Sequence, residues 1–375
     1  MASSPKLRVA VLFGGRSAEH EISLLSARFV VESLDRSKYE PILIGIDKAG
    51  HWRLQDEASL LGATRDPRLV KLNEAMPAVL FPPHPAENGA SLLRTNASEG
   101  GPLSIDVIFP VLHGPMGEDG TVQGLLELSG LPYVGAGVLG SAVGMDKDVM
   151  KRLLLQAGLP VLAYETLRRA EWESAPDAAL SRLAHLGFPQ FVKPANLGSS
   201  VGVSRAKSES ELTPALEHAF EFDDKLVIEA GLDHPREVEC AVLGGDVPRA
   251  SVPGEITIDH PDGYYSYAAK YVDDSGVATK IPAALSALQT EAVQRLALAT
   301  FRTLECDGLA RVDLFLDKSG TLYVNEINTL PGFTEVSMFP KLWLASGVPA
   351  AELMTYLIDD ALVRAARKRA RRSTV

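Results

Sequence analysis

The stretch 309–332 constrains the chain more than any other. Two apolar runs, 309–316 and 322–327, flank the turn residues Asp317, Lys318, Ser319 and Gly320, which reads as an antiparallel hairpin. Strand side chains alternate faces, so Arg311 and Asp313 share one side, and Glu326 and Asn328 share one side of the partner strand. A turn that loops out two or four residues puts Arg311 opposite Glu326, with Asp313 as the diagonal neighbour of Glu326. A one-residue bulge at Gly320 would slip that register and scatter the four groups.

Carboxylates and a carboxamide without thiols or imidazoles are hard ligands. They suit Mg²⁺, which completes its shell with water and phosphate oxygens, so the constellation calls for a nucleotide. The plainer reading is a surface hairpin whose Arg and acids make ordinary ion pairs. The residues after the strand, Asn328, Thr329, Leu330, Pro331 and Gly332, leave it abruptly, and a glycine after proline can present a bare N–H to a ligand.

At 375 residues two or three domains are expected. Asp and Glu total 48 against 37 Lys and Arg, a net charge of −11, which argues against a general nucleic-acid binder. Cys240 and Cys306 have no Cys/His pattern around them, so neither a disulfide framework nor a structural zinc site is implied and a reducing cytoplasm fits. No apolar segment approaches the roughly 18 residues of a membrane span, and neither export nor anchoring is expected.

Taken in order, residues 7–13 read as a strand, Gly14 and Gly15 as a tight turn, and Ile22, Leu25, Phe29 and Val30 as a helix at its usual spacing. Strands over 40–46 and 105–112 and a helix ending at Gly130 complete a parallel α/β unit. The two glycines are not a G-x-G-x-x-G fingerprint. Ligands of such sheets gather beyond the carboxyl ends of strands, where Glu19, His20 and His113 fall, although Glu19 can simply face a helix dipole and His113 can be a structural histidine.

Residues 77–102, rich in Pro, Gly, Asn and Ser, read as a solvated insertion. Small residues over 135–144 mark a domain boundary before a helix opened by Asp146 and Lys147. A strand over 189–193 carries Lys193, followed by a Gly/Ser loop through Gly198, Ser199, Ser200 and Gly202 that lacks the P-loop Gly-Lys-Ser/Thr. Strands follow over 225–230, 236–243 and 249–257, then an aperiodic Tyr-rich run over 259–271, then a helix over 289–304. The basic tail at Arg364, Arg367, Lys368, Arg369, Arg371 and Arg372 reads as a solvated helix end.

Together these motifs resemble the D-alanine–D-alanine ligases of the ATP-grasp superfamily. The resemblance rests on 14–23, 113–124, 145–147, 192–202, Lys270 with Tyr271, Arg311 to Asp313, and 325–332, in the family's order. It implies an α/β (α+β multidomain) fold with a Rossmann-like domain over 1–134, a central ATP-grasp domain over 135–230 and a catalytic ATP-grasp domain over 231–375. By the same resemblance ATP is held by Lys147, Lys193, Gly198, Ser200, Glu229, Ala230, Leu232 and Glu237. Many relatives carry lysine where Ala230 stands, and a backbone contact survives that change.

Asp313, Glu326 and Asn328 match ligands of two Mg²⁺ (or Mn²⁺) ions. Glu19, Ser199 and Tyr271 match a triad that positions the first D-alanine and a lid. Arg311 and the Gly332 amide match groups around the reacting carboxylate. Ser337 matches a contact to the second D-alanine, and His113 and Lys270 belong to the same substrate side. The implied reaction is ATP-dependent formation of D-alanyl-D-alanine through a D-alanyl phosphate, for peptidoglycan precursors. The alternatives are a D-alanyl-D-lactate or D-serine ligase, or another carboxylate–amine ligase. A homodimer is common in the family.

Overall fold

Within the strand Leu7–Gly14, residues 9–13 are an unbroken apolar run because they are buried on both faces, as parallel strands usually are. In this computed structural model, which describes residues 5–64, 66, 68–85, 90–95, 101–258 and 277–371, that strand lies between Tyr39–Ile46 and Val107–Pro110, both parallel to it. Trp52–Gln55 adds an antiparallel edge. Helix His20–Ser33 covers Val9, Val11 and Phe13, while Ala10 and Leu12 pack on the opposite side.

Two expectations for this unit change. The strand expected over 105–112 breaks at Asp106, whose carboxylate accepts from the Arg8 backbone N–H at 2.7 Å and from its guanidinium at 3.0 and 2.9 Å. The supposed solvated insertion supplies Val79–Leu80 and Ala90–Arg94, which join Leu103–Ile105 in a small antiparallel sheet. Its Val79, Phe81 and Leu92 are buried against the first sheet. The turn-forming composition concealed these few apolar anchors.

Residues 135–144 are not a linker, because most of them lie in the helix Val138–Met145. Small residues are needed there for close approach: a Cβ on Gly140 would stand 2.6 Å from the Glu305 carbonyl oxygen, and one on Gly144 3.1 Å from Thr329. Helix Lys147–Gln156 follows, with Asp146 capping it by accepting from the Val149 N–H at 3.1 Å.

The second sheet is antiparallel, in the order Ser204–Ala206, Gln190–Pro194, Lys225–Ala230, Tyr164–Arg168. Val192, Leu226 and Ile228 face its own helices, and Lys193, Lys225 and Glu229 face the other way. The third sheet runs Val277–Lys280, Gly254–Ile258, Arg236–Leu243, Leu309–Leu316, Leu322–Asn328, with Arg249–Ala250 also on Arg236–Leu243. The single strand expected over 249–257 is divided before Gly254 by Pro253, which has no N–H to give a ladder.

The hairpin over 309–328 carries two register slips. Gly320 takes φ +89° and Asp317 N–H closes the turn on the Thr321 carbonyl at 3.0 Å, so Leu316 pairs with Leu322. That slip alone would scatter the polar groups. A second irregularity lies between Asp313 and Leu314, where Asn325 is the extra residue, and it restores the parity. Asp313 therefore faces Glu326 directly, and Arg311 faces Asn328 rather than Glu326.

The basic tail is exposed over 366–371, as expected of a solvated helix end, and it also reaches back onto the chain. Arg364 and Arg369 of helix Ala350–Arg369 donate to the carbonyls of Gly135 at 3.1 Å and Gly130 at 2.9 Å. Among the described residues no helix is long and apolar enough to cross a membrane.

One buried ion trio ties helix Lys147–Gln156 to the second sheet. Glu229, 2% exposed, takes Lys151 at 3.0 Å on one oxygen and Lys193 at 2.8 Å on the other. Burial alone would raise the Glu229 carboxyl, but Lys151 and Lys193 outweigh it and hold its pKa at about 2. Because the folded pKa is depressed, its stabilisation is fully present above the ordinary value of 4.5 and is lost as pH falls from there through about 2. Glu229→Gln, which strands two buried lysines, is expected to cost about 3 kcal/mol at pH 7. In urea denaturation, the gap to wild type should narrow by about 1 kcal/mol at pH 4. An equal gap at both pH values would place the cost elsewhere.

Candidate active site

The face of the third sheet away from its helix collects the polar residues of three strands. Val238, Cys240, Val312, Leu314 and Ile327 pack against helix Ala287–Thr303 on one side. Alternation turns Glu237, Glu239, Arg311, Asp313, Glu326 and Asn328 to the other. Arg311 is the cation among them: its Nε and second terminal nitrogen each reach Asp313 at 2.7 Å, and Nε also lies 3.0 Å from Glu239. Burial works against the guanidinium charge, yet Asp313 and Glu239 outweigh it and raise its pKa well above the ordinary value.

The two lysines expected to hold phosphates approach this face from the second sheet and its helix. Lys147 donates to the Leu197 carbonyl at 2.6 Å and lies 3.6 Å from Glu326. Lys193 bridges the sheets, from Glu229 to the Asn325 side chain at 3.1 Å. The 198–202 loop has left-handed Ser199 and Ser200 at φ +52° and +57°, a tight turn in which the Val201 N–H donates to the Gly198 carbonyl at 3.1 Å. Gly202, at φ +69°, is required by space as well, since a Cβ there would meet the Phe222 ring at 2.7 Å.

A cavity of about 1010 Å³ opens above Arg311, Glu326 and Asn328. Its walls include Lys147, Gly198 and Ser199 on one side, Gly332 and Ser337 on another, and Glu19, His113 and Glu118 from the first unit. Glu19 precedes helix His20–Ser33, and its Oε2 stands 3.9 Å from where a Cβ on Gly198 would be. The turn beneath it is fixed by Ser23, which accepts from the Gly14 N–H at 2.7 Å and donates to the Val111 carbonyl.

His113 is buried, with its ring nitrogens 3.1 Å from the Leu330 carbonyl and 3.2 Å from Ser26 Oγ. Burial lowers its pKa, so the ring is a neutral strut between the first unit and the segment after the hairpin. Ser26 also accepts the Phe333 N–H at 3.3 Å. Next along, the Gly332 N–H takes no hydrogen bond among the described residues. A side chain at 332 would strike Ser337 Oγ at 2.9 Å, so glycine keeps that donor uncovered. Ser337 Oγ itself accepts from the Thr334 N–H at 3.0 Å.

Not every expected residue lines this cavity. Lys193, Ser200, Glu229, Ala230, Leu232, Glu237 and Asp313 lie outside its wall, the first of these joined to it through Asn325 beside Glu326. The Glu229 side chain is committed to the two lysines, and the Ala230 N–H to the Ala163 carbonyl at 2.9 Å. Lys270 and Tyr271 lie outside the described residues. Asp313, Glu326 and Asn328 offer only hard oxygens, which fits Mg²⁺ or Mn²⁺. Among the described residues no three acids, imidazoles or thiols surround one point, so phosphate oxygens and water would have to complete either shell.

Four residues went unread in the sequence. Glu118, in the turn after His113, is buried and accepts from the Gly114 N–H at 2.6 Å. Burial, then the Glu19 carboxylate, push its carboxyl well above the usual range. Glu239 could have been found by strand parity from Glu237, and Lys151 by one helical turn from Lys147. Asn325 opens the motif 325–332 but was given no role there, because its contact with Lys193 comes from a residue that the bulge adds.

Comparison with known proteins gives this site a lineage. A family model described as D-ala D-ala ligase N-terminus matches residues 8–136, and one described as D-ala D-ala ligase C-terminus matches 153–359. A protein of Shouchella clausii named D-alanine--D-alanine ligase is 47% identical over 370 residues, covering 99% of this chain and 98% of its own. The solved D-alanine-D-alanine ligase of Coxiella burnetii matches with a TM-score of 0.84 at 38% identity, over 98% of this chain and 97% of that one. A D-Ala:D-Ser ligase of Enterococcus faecalis matches with a TM-score of 0.81 at 34% identity, over 95% and 100%. With both family models matched in order and relatives aligned over nearly their full length, the chain belongs to the D-alanine–D-alanine ligase family, on an ATP-grasp fold.

Proposed function

We propose that the chain joins two D-alanines at the expense of ATP, giving D-alanyl-D-alanine, ADP and phosphate for peptidoglycan precursors. The observation that carries this reading is the single cavity in which Lys147, Arg311, Glu326 and Asn328 meet Glu19 and Ser337 from opposite walls. Family membership supports the same reaction. In it, a carboxylate oxygen of the first D-alanine attacks the γ-phosphorus, the bond to the bridging oxygen breaks, and ADP leaves. The amine of the second D-alanine, having lost a proton, attacks the resulting acyl carbon, and phosphate departs.

Lys147 and Lys193 exchange their protein oxygens for ATP phosphates, under the amides of the 198–202 loop. Asp313, Glu326 and Asn328 would hold Mg²⁺ or Mn²⁺, which when bound would supply charge neutralisation between ATP and the carboxylate. Arg311 and the Gly332 N–H receive the charge that builds on the former carboxylate oxygen. Glu19 holds the first D-alanine's ammonium side with Ser199 and Tyr271, and Ser337 with Lys270 holds the second carboxylate. Ser200, Ala230, Leu232 and Glu237 complete the nucleotide side, and His113 the substrate wall.

The retained Lys270 and Tyr271 favour an amine over a hydroxy acid as second substrate. The reading divides the chain into 1–134, 135–230 and 231–375 and takes it to work in the cytoplasm as a homodimer. Phosphate release from ATP and Mg²⁺, with D-alanine, L-alanine or D-alanine plus D-lactate and products identified by mass, tests it. Release is expected only with D-alanine, with the D-alanyl-D-alanine dipeptide as product. Folded protein that binds ATP yet shows no such release would overturn the reading. Arg311→Ala is expected to lower kcat by about 10²–10³, the loss typical of one oxyanion donor.

A further inference from the structure

Glu239 has no part in the reaction as written, yet it sits in the row of acids that the hairpin creates. It pairs with Asp313 across one strand boundary, and Asp313 pairs with Glu326 across the next. Three carboxylates therefore stand side by side on adjacent strands, about 5 Å between neighbouring strands. Glu239 is 5% exposed, so water does little to screen it. Arg311, one row along, makes the row tolerable: it grips both oxygens of Asp313 at 2.7 Å and lies 3.0 Å from Glu239 Oε2.

That grip conflicts with the reading of Asp313 as a metal ligand. A carboxylate held by both prongs of a guanidinium has its strongest lone pairs taken, and a cation must displace the guanidinium to use them. A buried guanidinium released without an anion is strongly disfavoured. Glu239 is already within ion-pair distance of the same Nε, on the side away from Glu326.

We propose that Glu239 is a positioning residue that takes over Arg311 when the metal occupies Asp313. Metal loading then shifts the guanidinium from Asp313 onto Glu239 and leaves it facing the cavity. The inference rests on the reading of Asp313 as a metal ligand, and its test separates the two. The simpler rival is that Glu239 acts on the cation only through its own negative charge.

Free Mn²⁺, followed by electron paramagnetic resonance in the presence of ADP, reports metal affinity in the full chain without turnover. Wild type is expected to bind Mn²⁺ and Asp313→Asn to lose it; no binding by wild type, or none lost in Asp313→Asn, overturns the ligand reading and the inference together. Glu239→Gln is expected to weaken Mn²⁺ about tenfold, the size of coupling usual for groups in contact. Arg311→Ala frees Asp313 and should not weaken it. The deciding measurement is Glu239→Gln in the Arg311→Ala background, where it is expected to add nothing. Arg311→Met provides a second neutral background should the alanine variant fold poorly, as thermal melting will show. The same tenfold loss with and without Arg311 would establish the rival, and no loss from Glu239→Gln alone would equally overturn the inference.

Discussion

A buried guanidinium holds together the acidic face of the largest sheet. Arg311 loses hydration on that face, yet the surrounding carboxylates hold its charge more firmly than water does. In return it holds Glu239 and Asp313 in place on neighbouring strands, 3.0 and 2.7 Å from its Nε. The same cation that makes the strands compatible also lines the cavity in which the proposed reaction would develop charge. Folding and chemistry thus draw on one interaction. A neutral residue at 311 removes the reaction's donor and also leaves a dry row of like charges.

The second sheet meets this face through amines that are never idle. Lys193 rests between Glu229 and Asn325, and Lys147 on the Leu197 carbonyl near Glu326. Each can trade a protein oxygen for a phosphate oxygen without passing through an unpaired buried charge, which would be costly. Lys151 is the second cation on Glu229, 3.0 Å from its other oxygen, so that carboxylate does not depend on Lys193 alone. The first unit is tied to the same place by His113, whose ring reaches the carbonyl just after the hairpin.

Much of this was legible in the chain. Strand parity put Arg311 with Asp313, and Glu326 with Asn328, each pair on one side of its own strand; that both pairs share a face rests on two register slips that cancel. Lys225–Ala230 and Arg236–Leu243 were readable to the residue, since short buried strands bounded by polar turns leave little ambiguity. Partners across strands were not legible, because they depend on the Asn325 bulge. The helix at 138–145 was hidden because its glycines serve contact with a distant carbonyl rather than helix propensity. The ion pairing of Lys151 with Glu229 joins elements far apart in the sequence, beyond what local pattern can carry.

The paired slips of the hairpin carry a consequence for fidelity of assembly. If only the Gly320 turn or only the Asn325 bulge formed, Glu326 and Asn328 would rotate toward Phe301 and Val293, while Ile327 would turn toward the cavity. Such a chain would bury a carboxylate in hydrocarbon, a state far less stable than the native one. The hydrophobic layer behind the sheet therefore acts as a proofreader: it rejects the half-shifted hairpin, and with it any molecule whose catalytic face is out of phase.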